Sequence, residues 1–315
     1  MKAYWRILLL ALLATSETAF PITLVYNMRV RRTFSVAGKL RQDTSSIWVP
    51  SIVPIFQRRT RHIVTTTPVA VDVTDKRSVG GALINFQVIP TRSYWAEITT
   101  GIERESATVK GTTNECAAKS GFDDVLISAG YNFYPIEHGQ FTLYGLIGFP
   151  THWKVSEFER FGTFIGTHFF NIAVGAEVSY GFIDTLPRSL DLIAQGRLLH
   201  AFSRSWNPIL PEGSTIQPGN VSDLLITLQY REKQDIFELS YNPTWFSNQA
   251  AILPTTTIKT DTYVRNSGSF SYSHVFRKGA LTKKPFIIGT GVNYSHAKFF
   301  DTNTFSCWVS FSWVF

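Results

Sequence analysis

The sequence predicts an all-β fold: a transmembrane antiparallel β-barrel of about twelve strands. Three observations predict it: an apolar composition without long apolar runs, alternation of apolar and polar residues, and connectors that alternate between short and long. Of the 315 residues, 44% are hydrophobic, 17% are charged and 14% are aromatic. After the N-terminus no apolar run is long enough for a membrane-spanning helix. The apolar residues must therefore be spread by alternation, which is typical of β-strands.

The last segment shows this alternation most clearly. In residues 304–315 every second residue, from Phe305 to Phe315, is apolar, and most of the residues between them carry hydroxyl groups. A period of two places the two sets on opposite faces of a strand. The polar face of a soluble sandwich would normally carry charge, so we expect the apolar face to contact lipid; a soluble secreted β-protein is the alternative. Ten further segments show strand patterns: 80–90, 93–104, 124–133, 139–149, 170–180, 188–203, 224–231, 237–242, 269–276 and 286–295.

The C-terminal residues also resemble a known signal. A terminal Phe, with an aromatic residue two positions before it and apolar residues at each second position upstream, is similar to the C-terminal assembly signal of bacterial outer-membrane proteins. The residues that match are Val309, Phe311, Trp313 and Phe315. The resemblance covers only about the last dozen residues, and barrels of every function share this signal. It implies insertion into the bacterial outer membrane by the barrel-assembly machinery, with lipid and lipopolysaccharide as neighbours.

The connectors predict how the strands are joined. Short connectors near residues 90–92, 135–139, 184–188, 233–235 and 278–283 alternate with long ones near 105–121, 150–166, 204–220 and 249–266. Short periplasmic turns and longer extracellular loops alternate in this way in outer-membrane barrels. Both termini then lie on the periplasmic side, which requires an even number of strands. Eleven segments are recognisable, so a twelfth strand must lie earlier; we choose Arg32–Gln42, and His62–Val73 is the alternative.

The N-terminus predicts secretion. Lys2 and Arg6 precede the apolar run Ile7–Leu13, which is followed by small residues. This layout is typical of a cleaved signal peptide, and an uncleaved anchor helix is the alternative. We assign residues 1–19 to the signal peptide, with cleavage after Ser16 favoured over cleavage after Ala19, and residues 20–315 to the barrel.

If the first strand is Arg32–Gln42, residues 43–78 form an unusually long first loop. Long loops in compact folds are usually functional or disordered. The loop could fold inward and narrow the pore, and its cations would then favour anions. Alternatively, it could face lipopolysaccharide phosphates. The cationic group consists of Arg58, Arg59, Arg61 and His62.

The strand register assigns a set of charged residues to the lumen. These side chains could line a polar pathway, or their ion pairs could fill and block the interior. A barrel of about twelve strands is narrower than porins of roughly 16–18 strands, so both interpretations stay open. The predicted lumen residues are Glu97, Glu103, Glu177, Asp191, Arg197, Arg231 and Glu238.

Other chemistries find little support in the sequence. The formal net charge is +7, but the basic residues are scattered, so we expect no nucleic-acid partner. No histidine is followed two positions later by serine, as in a barrel phospholipase, and His200 and Ser203 would lie on opposite strand faces. No phosphate loop, dinucleotide fingerprint or metal cluster is present, so we expect neither a cofactor nor catalysis. Cys116 and Cys307 are predicted not to pair, the first lying in a loop and the second facing lipid.

These observations predict a porin-like passive pore for small solutes, with a preference for anions. Two alternatives remain: a structural or surface-interaction barrel with a plugged lumen, and an outer-membrane hydrolase. Conductance would separate the first function from the other two. The fold itself does not decide among them.

Overall fold

The computed structural model describes residues 47–65, 71–91, 93–110, 115–151, 169–185, 188–205, 213–259, 261–276, 285–298 and 301–315. These residues form seventeen β-strands. The strands are β1 (Ile47–Thr65), β2 (Val71–Ile89), β3 (Tyr94–Lys110), β4 (Glu115–Phe122), β5 (Val125–Phe133), β6 (Gly139–Phe149), β7 (Asn171–Thr185), β8 (Arg188–Ala201), β9 (Arg204–Ser205), β10 (Thr215–Gln217), β11 (Asn220–Glu232), β12 (Asp235–Phe246), β13 (Ala250–Leu253), β14 (Thr256–Lys259), β15 (Tyr263–Phe276), β16 (Phe286–Ala297) and β17 (Thr302–Trp313).

The large sheet closes into an antiparallel barrel of twelve strands, which confirms the predicted fold. β1 pairs with β17 at the seam. Just beyond β17, Phe315 and Trp48 exchange two backbone hydrogen bonds of 2.9 and 3.1 Å. Closure gives each of the twelve strand positions a neighbour on both sides, and an unpaired edge is not tolerated in lipid. Among the described residues, no helix is long and apolar enough to cross a membrane.

β4 and β5 together occupy one position in the barrel, because both pair with β3. The pairing register with β3 differs by one residue between them, as expected for a β-bulge. The bulge contains Asp123 and Asp124; the Asp123 N–H donates to the Gly101 carbonyl at 2.8 Å. Because of the extra residue, even-numbered side chains are exposed on β4 but buried on β5.

The short turns gather at one end of the barrel, the turn end, together with the start of β1 and the end of β17. The three longest connectors, which follow β6, β8 and β12, lie at the opposite end, the loop end, together with shorter connections after β1, β3 and β16. Two of those connectors form a small sheet of four strands in the order β14-β13-β10-β9. The predicted loops near 204–220 and 249–266 therefore contain short strands.

The first strands of the barrel differ from the sequence prediction of a long first loop. Residues 47–65 and 71–78 are not a loop but belong to β1 and β2, which pair along their whole length. His62–Val73 spans the end of β1 and the start of β2, so it is not a single strand. The predicted strand Arg32–Gln42 and the predicted signal peptide lie outside the described residues.

Two prolines make the sequence of β1 resemble a loop. A central strand normally excludes proline because proline lacks the N–H of the ladder. Pro50 and Pro54 nevertheless pair with β2. The pairing of β1 with β17 is instead interrupted at Val53 and Pro54. The missing donor is thus confined to the β1–β17 side of the strand.

The cysteines also differ in part from expectation. Cys116 lies in β4 rather than in a loop. Cys307 is a free cysteine on β17, between the inward-facing Ser306 and Trp308. Its outward position agrees with the predicted lipid-facing position.

Candidate functional site: the barrel interior

The outer surface of the barrel is apolar. Alternate side chains along each strand are exposed and mostly large and hydrophobic, for example Ile52 at 43% and Phe56 at 47% exposure. Aromatic rings form a belt near the turn end, where Trp48 and Phe86 lie 5.5 Å apart. An outward apolar band with aromatic girdles is the surface that a transmembrane barrel presents to lipid. Other ring contacts in this belt are Tyr94–Tyr131, Tyr230–Phe237, Phe237–Tyr272 and Phe286–Trp313.

Three histidines lie on this outer surface near strand ends. His200 contacts the Asn220 amide oxygen at 2.7 Å, and His296 contacts that of Asn303 at 3.0 Å. His274 contacts the Asp235 carboxylate at 2.8 Å. Their positions agree with an interfacial role, and His200 faces away from the interior.

The residues of the assembly signal lie at the C-terminal end of β17. Val309, Phe311 and Trp313 occupy the outward register of β17, and Phe315 follows the strand beside Trp48. They therefore lie at the seam of the barrel near the turn end. Their recognition by the barrel-assembly machinery stays a prediction.

The interior face, in contrast, carries most of the charge of the barrel wall. Among the described side chains that alternate with the exposed set, there are six arginines and eight carboxylates. The arginines are Arg59, Arg61, Arg77, Arg197, Arg231 and Arg265. The carboxylates are Asp75, Glu97, Glu103, Glu105, Glu177, Asp191, Asp223 and Glu238. Asp123 and Asp124 of the bulge are also buried, so carboxylates outnumber arginines and this face is polar and acidic.

The structure places every predicted lumen residue on this interior face. All seven alternate with exposed neighbours on β3, β7, β8, β11 and β12. Glu97 accepts a hydrogen bond from Ser128 at 2.6 Å. Glu238 accepts hydrogen bonds from Gln229 and Ser271, both at 2.8 Å. Their role in conduction stays a prediction. The set is Glu97, Glu103, Glu177, Asp191, Arg197, Arg231 and Glu238.

The predicted constriction group has a different position from the one expected. Its four residues lie on the wall, in β1, and not on an inward-folded loop. The alternation of the strand divides them: Arg59 and Arg61 are buried on the interior face, whereas Arg58 and His62 are exposed on the outer face. No single surface therefore contains all four cations.

An ionic network joins β1, β2 and β3 near the loop end. Arg59 and Arg77 are direct cross-strand partners, an arrangement of like charges that is unfavourable by itself. Arg77 Nε donates to the Asp75 carboxylate at 3.0 Å, and Arg77 Nη1 donates to Glu105 at 3.2 Å. The Asp75 carboxylate also lies 3.8 Å from Arg59. The two carboxylates thus allow three arginines, including Arg61, to share one side of the interior.

A second ion pair lies on β8 and β11. Arg197 donates from Nε and Nη2 to one carboxylate oxygen of Asp223 at 3.0 and 2.9 Å. Nearby, Arg265 donates to the Thr244 hydroxyl at 3.4 Å, and its guanidinium lies 5.2 Å from the centre of the Phe246 ring. These contacts hold the charged groups against the wall.

Sequence reasoning missed five of the charged residues of the interior face. Asp75 and Arg77 lay in the supposed first loop, and Glu105 lay in a supposed loop after β3. The signal that could have found the other two is the alternation itself, extended toward the loop end. Two-residue steps from Arg231 reach Asp223, and the same steps from Ser271 reach Arg265.

Three interior aromatic rings lie flat on the wall. Each is paired across strands with a glycine: Trp308 with Gly291, Trp95 with Gly130, and Tyr144 with Gly175. A Cβ added to any of these glycines would collide with atoms of the opposite ring. The glycines thus provide the room in which the rings cover the backbone. Large side chains are in this way kept close to the wall.

An apolar layer occupies the interior at the turn end. Its members come from β1, β2, β12, β15 and β16 and from the residue after β17, which are adjacent positions in the barrel, and they pack against one another. They are Ile47, Val49, Val53, Leu83, Ile236, Val275, Ile287 and Val314. The interior therefore has an apolar layer at the turn end and the β1–β3 ionic network near the loop end.

Comparisons with known proteins show the fold. No protein-family model and no curated protein sequence matches the chain. Among solved structures, an outer membrane channel from Pseudomonas putida F1 aligns with 87% of this chain and 99% of its own, with 11% identity and a TM-score of 0.58. The transport unit of the autotransporter AIDA-I from Escherichia coli aligns with 87% of this chain and 92% of its own, with 9% identity and a TM-score of 0.51.

Both similar structures are barrels of the bacterial outer membrane, and this chain has their fold. Its apolar outer surface and aromatic belt are those of a protein embedded in lipid. The chain is therefore a bacterial outer-membrane β-barrel. At these identities the similarity shows the fold and no particular family.

Proposed function

We propose that the protein is a passive channel for small polar solutes across the bacterial outer membrane. The observation that carries the proposal is the charged interior face, whose side chains are held against the wall by ion pairs and hydrogen bonds. Large interior rings are likewise kept flat over glycines. A charged face on the inside of a closed barrel suits the passage of hydrated solutes. The solved structures described above are named as a channel and a transport unit and not as enzymes.

Recording from planar bilayers tests this function. We expect the refolded protein to give discrete, reproducible conductance steps that are absent from a heat-denatured sample. Migration on a gel that changes with heating serves to verify folding. A correctly folded barrel that never conducts would overturn the channel and favour a plugged structural barrel.

The plugged barrel is the second candidate because of the apolar layer at the turn end. Val49 and Leu83 in this layer are 0% and 1% exposed, so no solvent reaches them. An apolar lining at this end of the interior opposes the passage of ions. The same recordings separate the two functions.

We propose a narrower form of the anion preference that the sequence predicted. Carboxylates outnumber arginines among the described interior side chains, so any anion preference must arise locally, and Arg59 and Arg61 are the interior cations of β1. Removing a unit charge about 8 Å from a permeating ion in a water-like dielectric changes its energy by about 0.5 kcal/mol, or roughly twofold in occupancy. Each lost charge acts in opposite senses on anions and cations, so we expect the double substitution Arg59→Gln/Arg61→Gln to lower the anion-to-cation permeability ratio by more than about tenfold.

Reversal potentials in a salt gradient measure this ratio. The matched control is Arg58→Gln/Arg104→Gln, which removes two outward-facing charges, recorded in uncharged phosphatidylcholine bilayers. The local anion preference is wrong if the interior and outer double variants give the same reversal potential as the unsubstituted protein.

A further inference from the structure

The outer face of β1, β2 and β3 carries exposed cations near the loop end. Arg58, Lys76 and Arg104 all occupy outward register positions and are exposed. His62 and Lys110 follow farther toward the loop end, also exposed. We call Arg58, Lys76 and Arg104 the basic outer patch. They lie on three adjacent strands.

Each cation of the basic outer patch lies a fixed distance from the aromatic belt of the turn end. Arg58 follows the outward-facing Trp48 by ten residues, and Arg104 follows Tyr94 by ten residues. On β2, which runs in the opposite direction, Lys76 precedes Phe86 by ten residues. Ten residues of a strand tilted by about 40° span about 25 Å along the barrel axis, the height of the apolar band of such barrels.

This spacing places the basic outer patch at one edge of the lipid band. The aromatic residues lie at the membrane interface of the turn end. Outer-membrane barrels have short periplasmic turns and longer extracellular loops. The patch therefore lies level with the headgroups of the outer leaflet.

The described side chains of the three strands give the patch no compensating carboxylate. Among the described side chains of β1, β2 and β3, no carboxylate faces outward; Asp75, Glu97, Glu103 and Glu105 all face the interior. The connection between β16 and β17 carries Asp301, which lies 3.9 Å from His296. The outer cations thus differ from the interior arginines, which contact carboxylates on the same strands.

The arrangement of the three cations suits a ligand with more than one phosphate. Arg58 is opposite Ser78, and Lys76 is the next outward residue on β2, so the two are diagonal neighbours about 7–8 Å apart. Arg104 is opposite Gly80, where an added Cβ would meet no atom within 4 Å. The surface between Arg58 and Arg104 is therefore open.

We propose that the basic outer patch binds the phosphorylated sugar headgroup of the outer-leaflet glycolipid, lipid A. The cations supply charge-assisted hydrogen bonds to phosphates. The sugar lies over Gly80, and the acyl chains follow the apolar outer surface below, at Ile52, Ile84 and Ile102. The binding site is independent of whether the lumen conducts.

The basic residues of β1 then have two separate roles, one on each face of the strand. The sequence left open whether the group narrows a pore or meets surface phosphates. The alternation of β1 directs Arg59 and Arg61 inward and Arg58 outward. Arg58 then joins Lys76 and Arg104, which come from two other strands.

The test measures retention of lipid A by the full-length protein with native mass spectrometry. The variant is Arg58→Gln/Lys76→Gln/Arg104→Gln. The matched control is Lys233→Gln/Lys259→Gln/Lys298→Gln, which removes the same charge at other exposed positions. Each basic residue near an anionic membrane contributes roughly fivefold to binding, so we expect on the order of a hundredfold weaker retention in the patch variant. The control should stay within about twofold of the unsubstituted protein.

Two further ligands test whether the patch recognises the phosphates and the sugar of lipid A. Lipid A from which both phosphates have been removed should bind the unsubstituted protein no better than intact lipid A binds the patch variant. Phosphatidylglycerol, which has one phosphate and no sugar, should bind at least tenfold more weakly than lipid A. Equal retention of lipid A by the patch and control variants, or equal binding of phosphatidylglycerol and lipid A, would overturn the proposal. A gel shift on heating verifies that each variant is folded.

Discussion

Replacing Arg77 by Gln is expected to lower the free energy of unfolding of the barrel by about 3–5 kcal/mol, the cost of breaking a buried ion pair by removing one partner. Arg77 is 4% exposed and contacts both Asp75 and Glu105. Its loss leaves the Glu105 carboxylate without this cation. The free energy is measured by urea titration of the refolded protein in lipid vesicles, followed by Trp fluorescence.

The control for this prediction is Arg104→Gln on the adjacent strand. Arg104 faces outward and is exposed, so its loss should change the unfolding free energy by no more than about 0.5 kcal/mol. The double variant Arg77→Gln/Glu105→Gln should be less destabilised than the sum of the single variants, by about 1–3 kcal/mol. Strict additivity of the two substitutions would show that the network is not a coupled unit.

The sequence was sufficient to predict most of the barrel because its strands contain two independent signals. β6 was expected at residues 139–149 and was found at Gly139–Phe149. β8 was expected at 188–203 and ends two residues earlier, at Ala201. Both strands have an alternating face and follow a short connector. Where the apolar face contacts lipid and the polar face lines the interior, the alternation and the short connector both indicate the same strand.

β1 and the first half of β2 escaped prediction for physical reasons. Pro50 and Pro54 normally end a strand, and the consecutive basic residues that follow suggest an exposed loop. The residue type on the interior side of β1 also changes along the strand. The interior residues are apolar at Ile47, Val49 and Val53 but charged at Arg59 and Arg61. A test for one apolar and one polar face therefore fails on β1.

The interior set could be predicted only in part. Alternation within one strand is enough to decide which face a residue lies on. Glu97 and Arg197 could therefore be assigned to the interior from their neighbours in the sequence. Which residues meet across strands depends on the register between strands, and that register follows from barrel closure. The pairing of Arg197 with Asp223 and of Trp308 with Gly291 therefore required the structure.

The placement of Trp308 against the wall leads to the second large prediction. Gly291 is its direct cross-strand partner on β16, and a side chain at this position would collide with the indole ring. In Gly291→Leu the ring must leave the wall and project inward. Because a twelve-stranded barrel is only moderately wider than eight-stranded barrels, whose side chains fill them, one displaced indole should reduce single-channel conductance at least about twofold.

Two variants make this prediction specific to the ring. Gly196→Leu is the matched control, since Gly196 lies in the outward register of β8 and an added Cβ there meets no atom within 4 Å. Its conductance should equal that of the unsubstituted protein. The exchange variant Gly291→Leu/Trp308→Gly removes the displaced ring and should restore the conductance. If Gly291→Leu folds and conducts normally, or if the exchange does not restore conductance, then the position of the Trp308 ring does not limit the passage through the barrel.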